Sequence, residues 1–120
     1  MEVKLFDSER KVMEVLWDQG EDLPAREIAR RLEHSVGWNK NTTYTVIKKC
    51  VEKEAIERRE PNFLCHPLVS RAQVREQDAV DLVDKLFDGS ASLLFASLVR
   101  GKSLSQEEIQ QLRKLVDELK

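Results

Sequence analysis

The order of hydrophobic periodicities along the first 70 residues constrains the fold of this chain most strongly. Apolar residues recur at helical spacing in three successive segments, which start near Asp7, Ala25 and Asn39. The pattern then changes to two short strand-like segments, residues 56–59 and 63–66, separated by a turn-forming Glu-Pro-Asn sequence. Three helices followed by a β-hairpin within about 65 residues predict a winged helix-turn-helix.

Three more helical segments are predicted in the last fifty residues. They cover about residues 70–87, residues 92–99, and a final helix that begins at the capping box Ser105-Gln-Glu-Glu108, with Gly89 and Gly101 as interruptions. The fold class is therefore mainly α. We expect two domains, a winged helix over residues 1–69 and a helical domain over residues 70–120.

The helical domain has more apolar surface than three short helices can bury against one another. The segment 93–99 is hydrophobic nearly all round, which is typical of a buried helix. Burial between two copies of the chain is the favoured interpretation, and packing against the winged helix of the same chain is the alternative. The predicted dimerisation residues are Val80, Val83, Phe87, Leu93, Leu94, Leu98, Ile109, Leu112, Leu115 and Val116.

One face of the third predicted helix has the residue types that read DNA. Asn offers a donor and an acceptor, Thr a hydroxyl and a methyl group, and Lys a charge for phosphate or guanine. Arg58 and Arg59 on the hairpin are placed to contact the adjacent backbone. The predicted DNA-binding residues are Lys40, Asn41, Thr42, Thr45, Lys48, Lys49, Arg58 and Arg59. Capping and solvation alone also account for such residues, so a protein-docking winged helix stays open as the alternative.

Charge is distributed unevenly. The net charge is −2, yet residues 26–59 contain nine Lys and Arg against five Glu. A local positive surplus within an acidic molecule favours phosphate binding, because each neutralised phosphate releases condensed counterions.

Several classes of protein are disfavoured. The apolar run of about 20 residues that crosses a bilayer is absent, and no secretion signal is present, so no membrane insertion is expected. The two cysteines indicate a reducing, cytoplasmic environment. His34, Cys50, Cys65 and His66 lack metal-site spacing, so neither a metal nor a cofactor is expected. Gly-rich phosphate loops and protease motifs are also missing, which argues against an enzyme.

Four sequence segments resemble one known family. They are Glu14-Val-Leu-Trp17, Ile28-Ala29, the specific stretch Trp38-Asn-Lys-Asn-Thr-Thr-Tyr-Thr-Val-Ile47, and Leu104-Ser-Gln-Glu-Glu-Ile109. From Leu5 to Lys120 the chain is similar to the penicillinase repressors (the BlaI/MecI/CopY type). The resemblance implies a dimeric transcriptional repressor that binds a dyad operator through its winged helix and dimerises through its C-terminal helices.

The resemblance also carries expectations about regulation. It implies control of a β-lactam resistance operon or a related stress operon. In β-lactam-responsive relatives a membrane sensor-protease pathway cuts the repressor, and the matching bond here is Ser97–Leu98, where relatives have Asn-Phe. Copper-responsive relatives carry a C-terminal cysteine cluster, which this chain lacks. Relatives often have Gly where this chain has Glu54, so the junction between the third helix and the hairpin is expected to differ.

Overall fold

The computed structural model describes residues 3–119 of the chain. The described part contains six helices and three short strands. In chain order they are α1 (Asp7–Gln19), β1 (Leu23–Pro24), α2 (Ala25–Val36), α3 (Lys40–Glu52), β2 (Ile56–Arg59), β3 (Leu64–Pro67), α4 (Arg71–Leu86), α5 (Ala91–Arg100) and α6 (Gln106–Asp117). This order confirms the mainly α winged helix-turn-helix with C-terminal helices.

The chain forms two compact units, Met1–Asp78 and Ala79–Lys120. The predicted division at residue 69 falls just before α4, whose first two turns belong to the first unit. Whether residues 1–69 and 70–120 act as separate domains stays a prediction.

The core of the first unit lies where the apolar sides of α1, α2 and α3 meet beneath the sheet. The fully buried side chains come from all three helices and from two strands; they include Val12, Met13, Leu16, Ile28, Ile47, Cys50, Ile56 and Cys65. Each helix contributes residues spaced three or four apart, as the sequence periodicity predicted.

The wing is part of a three-stranded antiparallel sheet with the order β1-β3-β2. Cys65 in β3 pairs with Leu23 on one side and with Arg58 on the other. Sequence analysis found the hairpin and missed β1. A two-residue strand that contains Pro24 has no periodic signal, and proline is tolerated there because the strand lies at the sheet edge.

The first two helices begin where the sequence periodicity placed them, at Asp7 and Ala25. The N-cap of α1 is Phe6, and the Glu9 carboxylate accepts a hydrogen bond from the Phe6 N–H at 2.8 Å. The helix α2 continues to Val36 and stops at Gly37 in the left-handed conformation.

Glu54 ends α3 in a Schellman motif. Its φ is +64°, its N–H donates to the Val51 carbonyl oxygen at 3.0 Å, and the Ala55 N–H donates to the Cys50 carbonyl oxygen at 2.9 Å. The expectation that a Glu here would alter the junction is therefore wrong, because Glu54 itself adopts the left-handed conformation that Gly would favour.

In the second unit, α5 and α6 contain no buried residue within the part of the chain described here. The Ser90 and Ser105 side chains cap the two helices by accepting the N–H groups of Leu93 and Glu108. Apolar residues of both helices, together with Leu104 from the loop between them, line a groove of about 420 Å³; they include Phe95, Ile109, Leu112 and Val116. No described helix is long and apolar enough to cross a membrane.

Candidate nucleic-acid interface

Asn39 positions the start of α3. Its side-chain oxygen accepts a hydrogen bond from the Thr42 N–H at 2.8 Å, while its carbonyl oxygen accepts from Thr43 N–H at 3.3 Å. This cap fixes the first turn and leaves the N–H groups of Lys40 and Asn41 without an intrahelical acceptor. The positive end of the helix dipole therefore points toward solvent.

The helix α3 has two distinct sides. Thr43, Val46, Ile47 and Cys50 are buried in the core of the first unit. All six residues predicted to face DNA from this helix are exposed: Lys40, Asn41, Thr42, Thr45, Lys48 and Lys49. The fold thus places the six residues that sequence analysis predicted to contact DNA on one open surface.

The three lysines of this face are all exposed. Within residues 3–119 no salt bridge engages Lys40, Lys48 or Lys49. The Lys40 ammonium lies 5.6 Å from the centre of the Tyr44 ring, within cation–π range. An uncompensated positive face is available to phosphates.

The wing arginines are arranged differently. Arg58 Nε donates to Glu60 at 2.6 Å, and the guanidinium stacks 3.7 Å from the centre of the Phe63 ring. Arg59 pairs with Glu57, and its Nη1 is 3.4 Å from an Asp22 oxygen. These pairs are exposed and therefore weak, so a phosphate can compete for either arginine.

The structure shows which of the cations between residues 26 and 59 are engaged in ion pairs. Glu27 binds both Arg30 and Arg31, and the Arg30 hydrogen bond followed by that of Arg31 lowers the pKa of Glu27 to about 2. Lys53 forms an ion pair with the buried Glu9 at 2.5 Å. The cations of this segment that have no salt bridge among the described residues are Arg26, Lys40, Lys48 and Lys49. Arg26, exposed in the first turn of α2, is the one that sequence analysis did not single out.

Aromatic contacts join α3 to the wing. The Tyr44 and Phe63 rings meet edge to face with centroids 6.1 Å apart, and both pack against the core. Trp38 is half-buried and packs against the same core. Tyr44 therefore supports the wing from the inner side of the surface.

Both cysteines are buried and free. Burial raises the pKa of the Cys50 thiol to about 12 and that of the Cys65 thiol to about 11, so both stay protonated in the folded chain. No group of three or more His, Cys, Asp or Glu in residues 3–119 is arranged to hold a metal ion.

The residues predicted for dimerisation lie on α4, α5, α6 and the residue after α4. Val80, Leu93, Leu115 and Val116 are exposed, while Val83, Phe87, Leu94, Leu98, Ile109 and Leu112 are half-buried. The bond Ser97–Leu98 lies inside α5, where the Ser97 carbonyl oxygen accepts from the Gly101 N–H at 3.0 Å.

The sequence profile of one family, described as "Penicillinase repressor", matches residues 5–118. The chain belongs to the penicillinase repressor family. The match extends over both compact units, so the part of the chain that resembles the family includes α3 as well as the C-terminal helices.

Named relatives agree with this assignment over nearly their full length. The methicillin resistance regulatory protein MecI of Staphylococcus aureus (strain N315) is 24% identical over 116 residues, covering 95% of this chain and 94% of the relative. The protein of that name from Mammaliicoccus sciuri has the same identity and coverage. The penicillinase repressor of Bacillus licheniformis is 21% identical over 119 residues, covering 98% of this chain and 92% of the relative. This penicillinase repressor family member is thus similar to two kinds of resistance regulator.

Proposed function

We propose that this chain is a dimeric transcriptional repressor, acting in the cytoplasm, that binds double-stranded operator DNA through α3 and the wing. The exposed face of α3 carries the proposal: Asn41, Thr42 and Thr45 are exposed, and within residues 3–119 no salt bridge engages the three lysines beside them. The helix α3 is the second helix of the helix-turn-helix, and in this motif the second helix enters the major groove. Membership of a repressor family supports the same function.

The side chains of this face have separate roles. We assign base contacts to Asn41, Thr42 and Thr45, because amide and hydroxyl groups at the start of a recognition helix reach base edges. Lys40, Lys48 and Lys49 contact phosphates. Arg58 and Arg59 contact phosphates as well, once a DNA phosphate replaces the carboxylate that each arginine binds in the free chain.

A pair of substitutions tests these roles. Thr45→Ala removes a base contact and should cost roughly 1–3 kcal/mol on the operator while leaving binding to scrambled DNA unchanged. Lys48→Ala removes a phosphate contact and should weaken binding to both duplexes. The slope of log affinity against log salt concentration should become smaller in magnitude by about one. Lys11→Ala, an exposed lysine on α1, is the matched control for lost charge. Equal weakening of both duplexes by Thr45→Ala would contradict the base contact.

Dimerisation is proposed through the second unit. Leu93 and Leu115 are more than half exposed and the apolar groove between α5 and α6 is open in the single chain. Each fully buried Leu or Phe contributes roughly 1.5–3 kcal/mol, so pairing two such surfaces supports a stable homodimer. A two-fold pair reads two half-sites at a fixed spacing.

We further propose that the regulated genes belong to a β-lactam resistance operon or a related stress operon, as the names of the relatives suggest. Release follows cleavage of Ser97–Leu98 through a membrane sensor-protease pathway. Because this bond lies in a hydrogen-bonded helix, α5 must open locally before a protease can bind it. Protein cut at this bond should lose dimerisation and operator affinity together; a cut protein that still binds the operator as a dimer would refute this route.

A winged-helix protein-interaction module without sequence-specific DNA binding, in which the C-terminal helices hold the partner, is the second candidate function. The exposed apolar groove of the second unit favours it, since such a surface also accepts a partner protein. Steep salt dependence of duplex binding distinguishes DNA binding from this alternative.

A further inference from the structure

The two wing arginines each bind a carboxylate two residues away in the same chain. Arg58 Nε donates to one carboxylate oxygen of Glu60 at 2.6 Å, and the other oxygen lies 3.5 Å from the backbone nitrogen of Phe63. The hydrogen bond from Arg58 lowers the pKa of Glu60 below its ordinary value, so this carboxylate is charged at neutral pH. The Arg58 guanidinium is therefore held between a charged acceptor and the face of the Phe63 ring, whose centre is 3.7 Å away.

Arg59 is held by two carboxylates. Its Nε donates to Glu57, and its Nη1 lies 3.4 Å from one oxygen of Asp22. The other oxygen of Asp22 is 2.7 Å from Nδ1 of His66 in β3. Among the salt bridges of residues 3–119, Arg58 thus has one carboxylate partner and Arg59 has two.

The wing that carries these arginines is fixed beside α3 within the first unit. The Phe63 carbonyl oxygen accepts a hydrogen bond from the Ala25 N–H at 2.9 Å, which ties the wing to the start of α2. The edge-to-face contact of Phe63 with Tyr44 ties it to α3. A duplex that α3 reads correctly therefore brings its phosphates to a set distance from the wing, whereas a duplex that α3 does not read leaves that distance variable.

A carboxylate of the same chain stays close to its arginine at all times, so its effective concentration there is high. A phosphate at a variable distance competes poorly with such a carboxylate. A phosphate held in place displaces it, because exposed ion pairs are weak. We propose that Glu57 and Glu60 are specificity-determining residues, which withhold the wing arginines from the phosphates of other DNA and release them on the operator. The inference rests on the proposed operator binding.

Three substitutions of Glu by Gln test the proposal. Glu60→Gln and Glu57→Gln remove the charge that holds each arginine and keep the size of the side chain. Glu52→Gln is the matched control, because Glu52 is exposed at the end of α3 and has no salt bridge among residues 3–119. Fluorescence anisotropy would measure affinity over a range of salt concentrations. The two probes are the duplex from immediately upstream of this chain's own coding region and a scrambled duplex of equal length.

For the wild-type chain, the slope of log affinity against log salt concentration should be steeper on the upstream duplex, by about one for each arginine released. Glu60→Gln should raise affinity for the scrambled duplex about tenfold and steepen its slope, while affinity for the upstream duplex changes less than about threefold. Glu57→Gln should act in the same direction but more weakly, because Asp22 still holds Arg59. Glu52→Gln should change the affinities for both duplexes by the same factor.

An equal gain in affinity on both duplexes with Glu60→Gln would overturn this inference and leave operator binding intact. Equal salt slopes of the wild-type chain on the two duplexes would overturn it as well, since the arginines would then be engaged on both or on neither. A wild-type chain that does not prefer the upstream duplex to the scrambled one would overturn the proposed function itself.

Discussion

Glu54 carries a backbone conformation that its side chain does not favour. A left-handed conformation costs a non-glycine residue roughly 1–2 kcal/mol, and glycine adopts it freely. Glu54→Gly should therefore raise the free energy of unfolding by about 1 kcal/mol, measured by urea unfolding at one fixed protein concentration.

Glu52→Gly is the matched control for Glu54→Gly. Glu52 is the last helical residue of α3, so glycine there should lower the free energy of unfolding by about 0.5–1 kcal/mol. Two glycine substitutions of the same sign would contradict the Schellman arrangement at the end of α3.

At the scale of single residues, the Thr43 hydroxyl is a second group that lowers the stability of the folded chain. It is fully buried and has no hydrogen-bond partner among the described residues. Because an unsatisfied buried polar group costs about 1–3 kcal/mol, Thr43→Val should raise the free energy of unfolding by about 1 kcal/mol. Thr42→Val, on the exposed side of the same turn, should change it by less than about 0.5 kcal/mol. Destabilisation by Thr43→Val would show that the hydroxyl is satisfied in solution.

The two thiols give a prediction about reactivity. Their raised pKa values mean that the thiolate fraction of Cys50 and Cys65 is negligible at pH 8 in the folded chain, whereas unfolding returns it to the ordinary range. A thiol reagent should label neither cysteine in the native protein and both in denaturant. Fast native labelling of either one would contradict its burial.

At the scale of elements, α6 offers the sharpest test of dimerisation. Val116 is 60% exposed beside the apolar groove, so Val116→Glu should place a charge in the proposed interface and convert the dimer to monomer by analytical ultracentrifugation. Gln110→Glu adds the same charge on the polar side of α6, one turn before Lys114, and should remain dimeric. Circular dichroism would confirm that both variants keep their helices. A dimeric Val116→Glu protein would contradict the proposed interface.

The predictability of these elements follows from how local their signals are. Sequence analysis found α1, α3 and the hairpin turn, because the apolar spacing of a helix and the residue types of a turn depend only on residues that are close in sequence. β1 depends on pairing with β3, some forty residues away, and was missed. The α3 face was predictable because its exposed side follows from the buried side of the same helix.

Charge pairing was much less predictable, because it depends on tertiary contacts. Counting treated Lys53 and Arg58 as free cations, yet Lys53 binds Glu9 across the core and Arg58 binds Glu60 at the wing. Nor did any local pattern indicate that Arg71 would join Glu14 and Asp18.

At the scale of the whole molecule, the proposed dyad binding assigns a separate task to each of the two units. The first unit presents one exposed face of α3 and holds the start of α4 to α1; the second presents apolar surface that its own chain does not bury. One winged helix makes few base contacts, so we propose that a partner copy recruited through the second unit provides the second half-site reader.

The most direct test is fluorescence anisotropy with duplex DNA from immediately upstream of this chain's own coding region. A scrambled duplex of equal length and two salt concentrations complete the experiment. We predict tight binding that outcompetes the scrambled duplex and weakens steeply as salt rises, because lysine–phosphate contacts release counterions. Equally weak binding to both duplexes would contradict the assignment of α3 as an operator-reading helix.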